Sequence, residues 1–299
     1  MTKEVAVFGA TGAQGAPVVE EALKAGLKVR AVARSTASVA ARHPAAQPVA
    51  ATLDEPEALV AALSGVGAAF VHLPAPTDPE APQRWLGNLL AAAGEAELPL
   101  LVYTTSGSTG ERYPTSMMNQ GYMAARDAIL NSGIPAIVLQ PTIYLENLQI
   151  PGFMPELADK GVVDYPPLRP EQRVSWTSHR DQAIVAAAAL QRPDLAGQAF
   201  EVASPGPLLG AELAKALSGW IDRPASFQPS TPEAFGARVE EALQAPGMAF
   251  VLNDFYGALV QMEPEAMVID TAALEATFGV ELTAAKDHIA TWAKAPVTA

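Results

Sequence analysis

The chain has 299 residues, 49% of them hydrophobic and 17% charged, which is enough for one large α/β unit with an appended lobe and a sizeable core. A formal net charge of -13 repels nucleic acid and anionic membranes at long range, and no basic run interrupts it, so any phosphate binding must be local. The absence of cysteine excludes disulfides and thiolate chemistry, and His43, His72, His179 and His288 lie too far apart for a spacing such as H-E-x-x-H, so no metal is expected.

The N-terminus enters a strand within a few residues, and no apolar run is long enough to span a bilayer, so a soluble cytoplasmic protein is expected. Val5 to Phe8 is a short apolar run followed by glycines at 9, 12 and 15, and then by helical spacing in Val18, Val19, Ala22 and Leu23. That order reads as strand, tight turn, helix. Glycine lets the backbone take positive φ and approach a ligand, and the first-turn amides of the helix then face an anion such as a pyrophosphate. Gly9, Gly12 and Gly15 are the first candidate cofactor contacts.

Lys28 to Ala33 reads as a second strand ending at Arg34 and Ser35, and Gln47 to Ala51 as a weaker third. Pro56 opens a helix, where proline costs no hydrogen bond. Ala68 to Leu73 is the fourth strand, Trp85 to Ala96 a helix, Leu100 to Thr104 the fifth strand, Met117 to Asn131 a helix, and Ala136 to Gln140 the sixth strand. This alternation predicts an α/β fold, a doubly wound parallel Rossmann sheet with its ligand across the strands' carboxyl ends. Beyond about Asn147 the alternation fails and prolines crowd in at 151, 155, 166, 167 and 170. The chain is therefore divided into a nucleotide-binding domain, 1–150, and a smaller mixed, mostly helical lobe, 151–299, that covers the crevice and shapes a substrate pocket.

An acidic residue at the end of the second strand would select NAD, but Arg34 stands there, and a guanidinium can fork onto a 2′-phosphate with help from the Ser35 hydroxyl. NADP(H) is therefore the expected cofactor. Leu53 and Asp54 stand where a backbone and side chain would meet the adenine, with Asp54 equally suited to cap the helix before Pro56. Leu73 and Pro74 should flank the bound nucleotide, and Thr104, Thr105 and Ser106 should point hydroxyls toward a nicotinamide ribose.

GATGAQG, the strand closing on Arg34-Ser35, TLDEPEALVAALSGVGAAFVHLP and SGIPAIVLQPTIYLENL together resemble the NmrA-like family, atypical members of the short-chain dehydrogenase/reductase superfamily; SHRDQAIVAAAAL and the hydrophobic tail match more loosely. The resemblance implies a Rossmann domain, NADPH preference and a small C-terminal lobe. It points to Gly9, Thr11, Gly12, Ala13, Gln14, Gly15 and Arg34 as cofactor contacts.

Reductases of that superfamily use a tyrosine as proton donor with a lysine four residues on. Counted back from Ser132-Gly133, those positions fall here on Met118 and Tyr122, so neither residue type survives. Tyr122 and Arg126 offer a similar pair one helical turn late, and an arginine there would still favour phenolate; the alternative is that they are merely one-turn neighbours on a helix. Tyr122 and Ser106 are the candidate catalytic residues, and Tyr144 and Trp176 candidates to line the same site. Asp181 reads as the N-cap of a helix. Two functions remain open: hydride transfer from NADPH to a quinone or other small carbonyl compound held between the lobes, or a redox sensor that binds the dinucleotide and regulates a protein partner. A structural-nucleotide isomerase is a third. Homodimerisation is left open.

Overall fold

The computed structural model describes residues 3–76, 78–150 and 152–293. Pro151 and residues 294–299, which the sequence assigns to the C-terminal lobe, lie outside the described residues. The first half alternates as β1 (Glu4–Phe8), α1 (Gly15–Lys24), β2 (Lys28–Ala33), α2 (Thr36–Arg42), β3 (Gln47–Ala50), α3 (Pro56–Leu63), β4 (Ala68–His72), α4 (Ala81–Glu95), β5 (Leu101–Thr104), α5 (Met117–Leu130) and β6 (Ala136–Pro141). There follow β7 (Ile143–Tyr144), α6 (Leu157–Lys160), β8 (Val162–Val163), β9 (Trp176–Thr177), α7 (His179–Ala189), β10 (Gln198–Val202), α8 (Gly210–Ile221), β11 (Ser226–Phe227), α9 (Pro232–Leu243), α10 (Met248–Leu259), α11 (Thr271–Phe278) and α12 (Ala285–Thr291).

The main sheet has seven strands in the order β10-β6-β5-β4-β1-β2-β3, every pair parallel. The order reverses between β1 and β4, which opens a crevice at the carboxyl end of β1, where the glycine turn lies. Alternation along the strands divides the core. Val5, Val7, Ala31, Phe70, Val102, Ile137 and Leu139 face α1 and α7, whereas Ala6, Phe8, Val71, Tyr103 and Val138 face α3 and α4. Each large aliphatic or aromatic side chain buried there contributes roughly 1.5–3 kcal/mol. A third core, around Tyr165, Trp176, Phe235 and Tyr256, fills the lobe, with the Tyr165 and Phe235 rings stacked 4.9 Å apart.

The expected doubly wound parallel sheet is present, and three details differ from expectation. The chain returns to the sheet after residue 150: β10 adds the seventh strand beside β6, in register Gln198↔Ile137, and α7 packs on α1. A cut at 150 therefore does not separate sheet from lobe. The helix opening at His179 is capped by Ser178, whose hydroxyl accepts the Asp181 amide at 2.9 Å, so Asp181 is not the cap. Asp54 does not cap α3 either; Glu55 takes that place without a side-chain bond, its carboxylate turning back to the Thr52 amide and hydroxyl.

Among the described residues no helix is long and apolar enough to cross a membrane, and no group of three acidic or histidine side chains could hold a metal.

Candidate active site at the glycine turn

The turn after β1 is closed by its own backbone. Gly9 has φ 65°, a value that favours glycine; Gly12 N donates to Gly9 O at 2.8 Å and Ala16 N to Gly12 O at 3.0 Å. Gly15 begins α1 so close to β1 that a Cβ on it would stand 2.3 Å from Gly9 O and 2.6 Å from Phe8 O. The residue before the helix, Gln14, makes no side-chain cap, and among the described residues the amides of Ala13, Gln14 and Gly15 meet no acceptor. Three unpaired amides at the positive end of a helix make an anion cradle. The turn is braced from α2, an element the sequence did not announce: the buried His43 Nε2–H donates to Ala10 O at 2.9 Å and Arg42 to Thr11 O at 3.1 Å. From the other side the His72 ring lies against Gly9, its Nε2 2.5 Å from where a Cβ would be and without a hydrogen-bond partner. Burial lowers the pKa of His72, so the ring is neutral.

Of the sequence candidates, Arg34 is exposed at the end of β2 with no ion pair among the described residues, free for a ligand; Ser35 caps α2 by accepting the Ser38 amide at 3.2 Å. Asp54 is ion-paired with Arg84 at 3.0 Å, and that same arginine holds Asp78 at 3.2 Å. The Leu53 carbonyl accepts from Asn88 at 2.8 Å, and Leu73 O accepts from His72, while Pro74 is exposed at the carboxyl end of β4. Thr104 and Thr105 are fully buried and their hydroxyls donate to Thr105 O and Gly107 O, so they shape the loop instead of presenting hydroxyls outward.

A polar network joins the turn to the far strands. Gln14 Nε2 donates to Ser106 Oγ at 3.2 Å, and the Tyr144 hydroxyl lies 3.1 Å from Gln14 Oε1 and 2.5 Å from Gln182 Oε1. Gln182 Nε2 also reaches Gln14 Oε1, at 3.4 Å. The Tyr144 ring packs 4.5 Å from that of His179, and His179 borders Glu146. Tyr122 comes to the same region, its ring edge 3.7 Å from where a Gly107 Cβ would stand. Burial pushes its hydroxyl up to about 12. Arg126 does nothing to reverse that, because Glu111 and Asp127 each hold it at 2.8 Å; Tyr122 and Arg126 are one-turn neighbours on a helix and not a phenolate-stabilising pair. Trp176 is not at the site: it is 1% exposed and packs edge-on to Tyr165 in the lobe core. Gln182, His179, Glu146, His43 and His72 were not singled out from the sequence for the site. Their signal was position alone, at the ends of strands or at the ends of helices.

Ser178, His288 and Asp181 meet in a buried cluster that resembles a hydrolytic triad only in composition. Ser178 Oγ at 2.9 Å and Asp181 Oδ2 at 2.8 Å share the same ring nitrogen of His288, whereas a triad places them on opposite nitrogens. Ser204 donates to the same carboxylate at 2.6 Å, and the cluster ties α12 to α7.

Sheet order, glycine turn and free helix amides define a Rossmann-type α/β fold with an anion cradle at its crevice. The chain belongs to the NmrA-like family, whose pattern it matches over residues 1–293. It is 31% identical over 271 residues, 89% of this chain and 91% of the relative, to an NAD(P)H azoreductase of Xenophilus azovorans. It is 30% identical over 225 residues to a (4-alkanoyl-5-oxo-2,5-dihydrofuran-3-yl)methyl phosphate reductase of Streptomyces griseus, covering 75% of this chain and 76% of that one. In fold it is similar to the NADPH-dependent quinone oxidoreductase of Escherichia coli solved with NADPH, with TM-score 0.77, 21% identity, and 95% and 98% of the two chains covered.

Proposed function

We propose that this protein is an NADPH-dependent reductase that passes hydride to a quinone or other small carbonyl compound. The observation that carries the reading is the pairing of an anion cradle with a guanidinium: three amides at the start of α1, and Arg34 at the end of β2, all without partners among the described residues. A pyrophosphate fits the cradle, whose closeness to β1 depends on Gly15 having no Cβ, and a 2′-phosphate fits Arg34. The reductase names of the two relatives support the chemistry. The regulatory alternative has no observation in its favour.

When bound, the nicotinamide supplies the hydride. The chain supplies the rest. Backbone amides of residues 13–15 hold the phosphates, and His43 and Arg42 keep the turn in shape by holding its carbonyls. The Gln14 side chain links the turn to Ser106 and Tyr144, which fixes the wall against which an acceptor would lie. Tyr122 and Tyr144 both stay protonated; the half-buried Tyr122 can donate a hydrogen bond to a carbonyl oxygen without ionising, while the Tyr144 hydroxyl is held by Gln182 and stiffens the wall. Positioning of this kind accounts for a large share of a hydride-transfer rate.

Fluorescence titration with NADPH and NADH, followed by absorbance assays against a panel of quinones, tests the reading. Tighter binding of NADPH by about tenfold or more, with turnover of at least one quinone, is expected. Silence toward both coenzymes, or NADPH binding without turnover of any acceptor, would overturn it.

A further inference from the structure

We propose that Glu146 and His179 form a proton relay that protonates the reduced substrate. The inference rests on the reductase reading and supplies what that reading lacks, a proton source in a chain without the tyrosine–lysine pair.

The juxtaposition is built into the register of two short strands. β7 and β9 run parallel with Ile143 opposite Trp176 and Tyr144 opposite Thr177. Two residues further along each segment come Glu146 and His179, side by side. The His179 amide donates to Glu146 Oε1 at 3.0 Å, which fixes the carboxyl. The other oxygen, Oε2, is buried, has no hydrogen bond, and lies 3.6 Å from His179 Nδ1. An ionised carboxylate oxygen left bare in a buried place is costly, whereas a carboxylic acid there can offer its proton to Nδ1. On the far edge of the same ring Nε2 has no partner among the described residues, and the ring packs on Tyr144, whose hydroxyl reaches the glycine turn through Gln14. The relay thus begins at a carboxyl oxygen shut off from solvent, on a half-buried side chain, and ends beside the network that faces the proposed nucleotide.

The surroundings favour the proton on the carboxyl. Burial raises Glu146; the His179 amide and His288 act against that, and Asp181 adds to it. Burial lowers His179 to about 4, with His72 adding to the effect. Both shifts act against an ion pair, since burial disfavours the carboxylate of Glu146 and the imidazolium of His179 alike. The phenols are poorer sources: Tyr122 is pushed up to about 12 and Tyr144 well above its ordinary value, both by burial first.

The step balances as follows. A quinone accepts hydride and becomes the hydroquinone monoanion; its anionic oxygen takes the proton of His179 Nε2–H, forming O–H and breaking N–H. Nδ1 takes the Glu146 proton at the same time, leaving a carboxylate and a neutral imidazole in its other tautomer. Proton uptake from solvent at Nε2 and return of the Nδ1 proton to Glu146 reset the pair.

The test uses the whole protein with NADPH and menadione. In wild type, kcat should fall as pH rises through the titration of Glu146, because the relay needs its acid form. E146Q should bind NADPH as wild type does, lose about 100-fold in kcat, and lose that pH dependence. An infrared difference spectrum, wild type minus E146Q at pH 6.5 without substrate, should show a protonated carboxyl stretch. Unchanged kcat and pH profile in E146Q, or a carboxylate band in that spectrum, would overturn the relay while leaving the reductase reading intact. Wild type that binds NADPH but reduces no quinone would defeat the reductase reading and the relay with it.

Discussion

At Gly15 one methyl group decides the shape of the turn. A Cβ there would stand 2.3 Å from Gly9 O, and what it meets is backbone, so the start of α1 must move and the three amides with it. Gly15→Ala should weaken NADPH binding by more than tenfold in calorimetric titration and cost about 1–3 kcal/mol in denaturant unfolding. Arg34 makes a narrower case. With no partner to lose among the described residues, Arg34→Ala should leave stability unchanged, lower NADPH affinity by about tenfold or more and leave NADH affinity alone; equal losses for both would refute 2′-phosphate recognition. The tight turn at Gly15 and the strand-end position of Arg34 were legible because glycine spacing and strand ends act locally. The bonds that hold Asp54 and Thr104 were not, since Arg84 and the loop's own carbonyls reach them only through the way the chain folds around them. The Glu146–His179 pair also sets a pH signature. His179 is lowered in the fold, so its contribution to stability is present above the ordinary imidazole range and lost as pH falls from about 6.5 toward about 4. Glu146 is raised, so its contribution runs the other way and is lost as pH rises. In E146Q the His179 effect stands without that opposition. Between pH 7 and 4.5 its loss, read as the difference from E146Q/H179Q in urea unfolding, should amount to about 2–3 kcal/mol.

Among the elements, α7 joins site and scaffold. Its first residues carry His179 and Gln182 into the polar network, while Asp181, fully buried, is held by His288 from α12 and by Ser204. Removing one partner of such a pair leaves a buried charge without compensation. His288→Ala should therefore cost about 3 kcal/mol in chemical denaturation yet leave the dissociation constant for NADPH unchanged; a comparable loss of binding would mean the cluster belongs to the active site after all. The sequence placed this helix within two residues but named the wrong cap. Asp181 has the right residue type, yet Ser178 stands three residues earlier, where its hydroxyl meets the Asp181 amide, and Asp181 is turned inward by a histidine 107 positions away. α2 escaped notice because Thr36 to Arg42 is short and offers only Val39 to the core.

The molecule as a whole does not divide where its sequence changes character. β10 lies beside β6, α7 packs on α1, and the tail sends Leu274, Phe278 and Leu282 back to the same core, with Phe278 edge-on to Phe200 at 5.0 Å. Prolines after Asn147 mark where alternation stops, but long-range pairing of β10 leaves no local trace, because a strand that joins a buried edge looks like any short apolar run. A fragment ending at residue 150 would expose Val18, Val19, Ala22 and the β6 edge to water, so it should bind hydrophobic dye and show no cooperative unfolding. The intact chain should unfold as one unit. Trp85 is a buried residue of α4, on the Rossmann half, and Trp176 lies inside the lobe core, so variants that retain only one of the two as the buried indole report the two regions separately. Urea midpoints from the two reporters, and from circular dichroism, should coincide. A lobe that melts at its own midpoint would show instead that the contacts of β10, α7 and α11 with the sheet are too weak to couple the two cores, and the glycine turn would then be expected to keep its nucleotide after the lobe had gone.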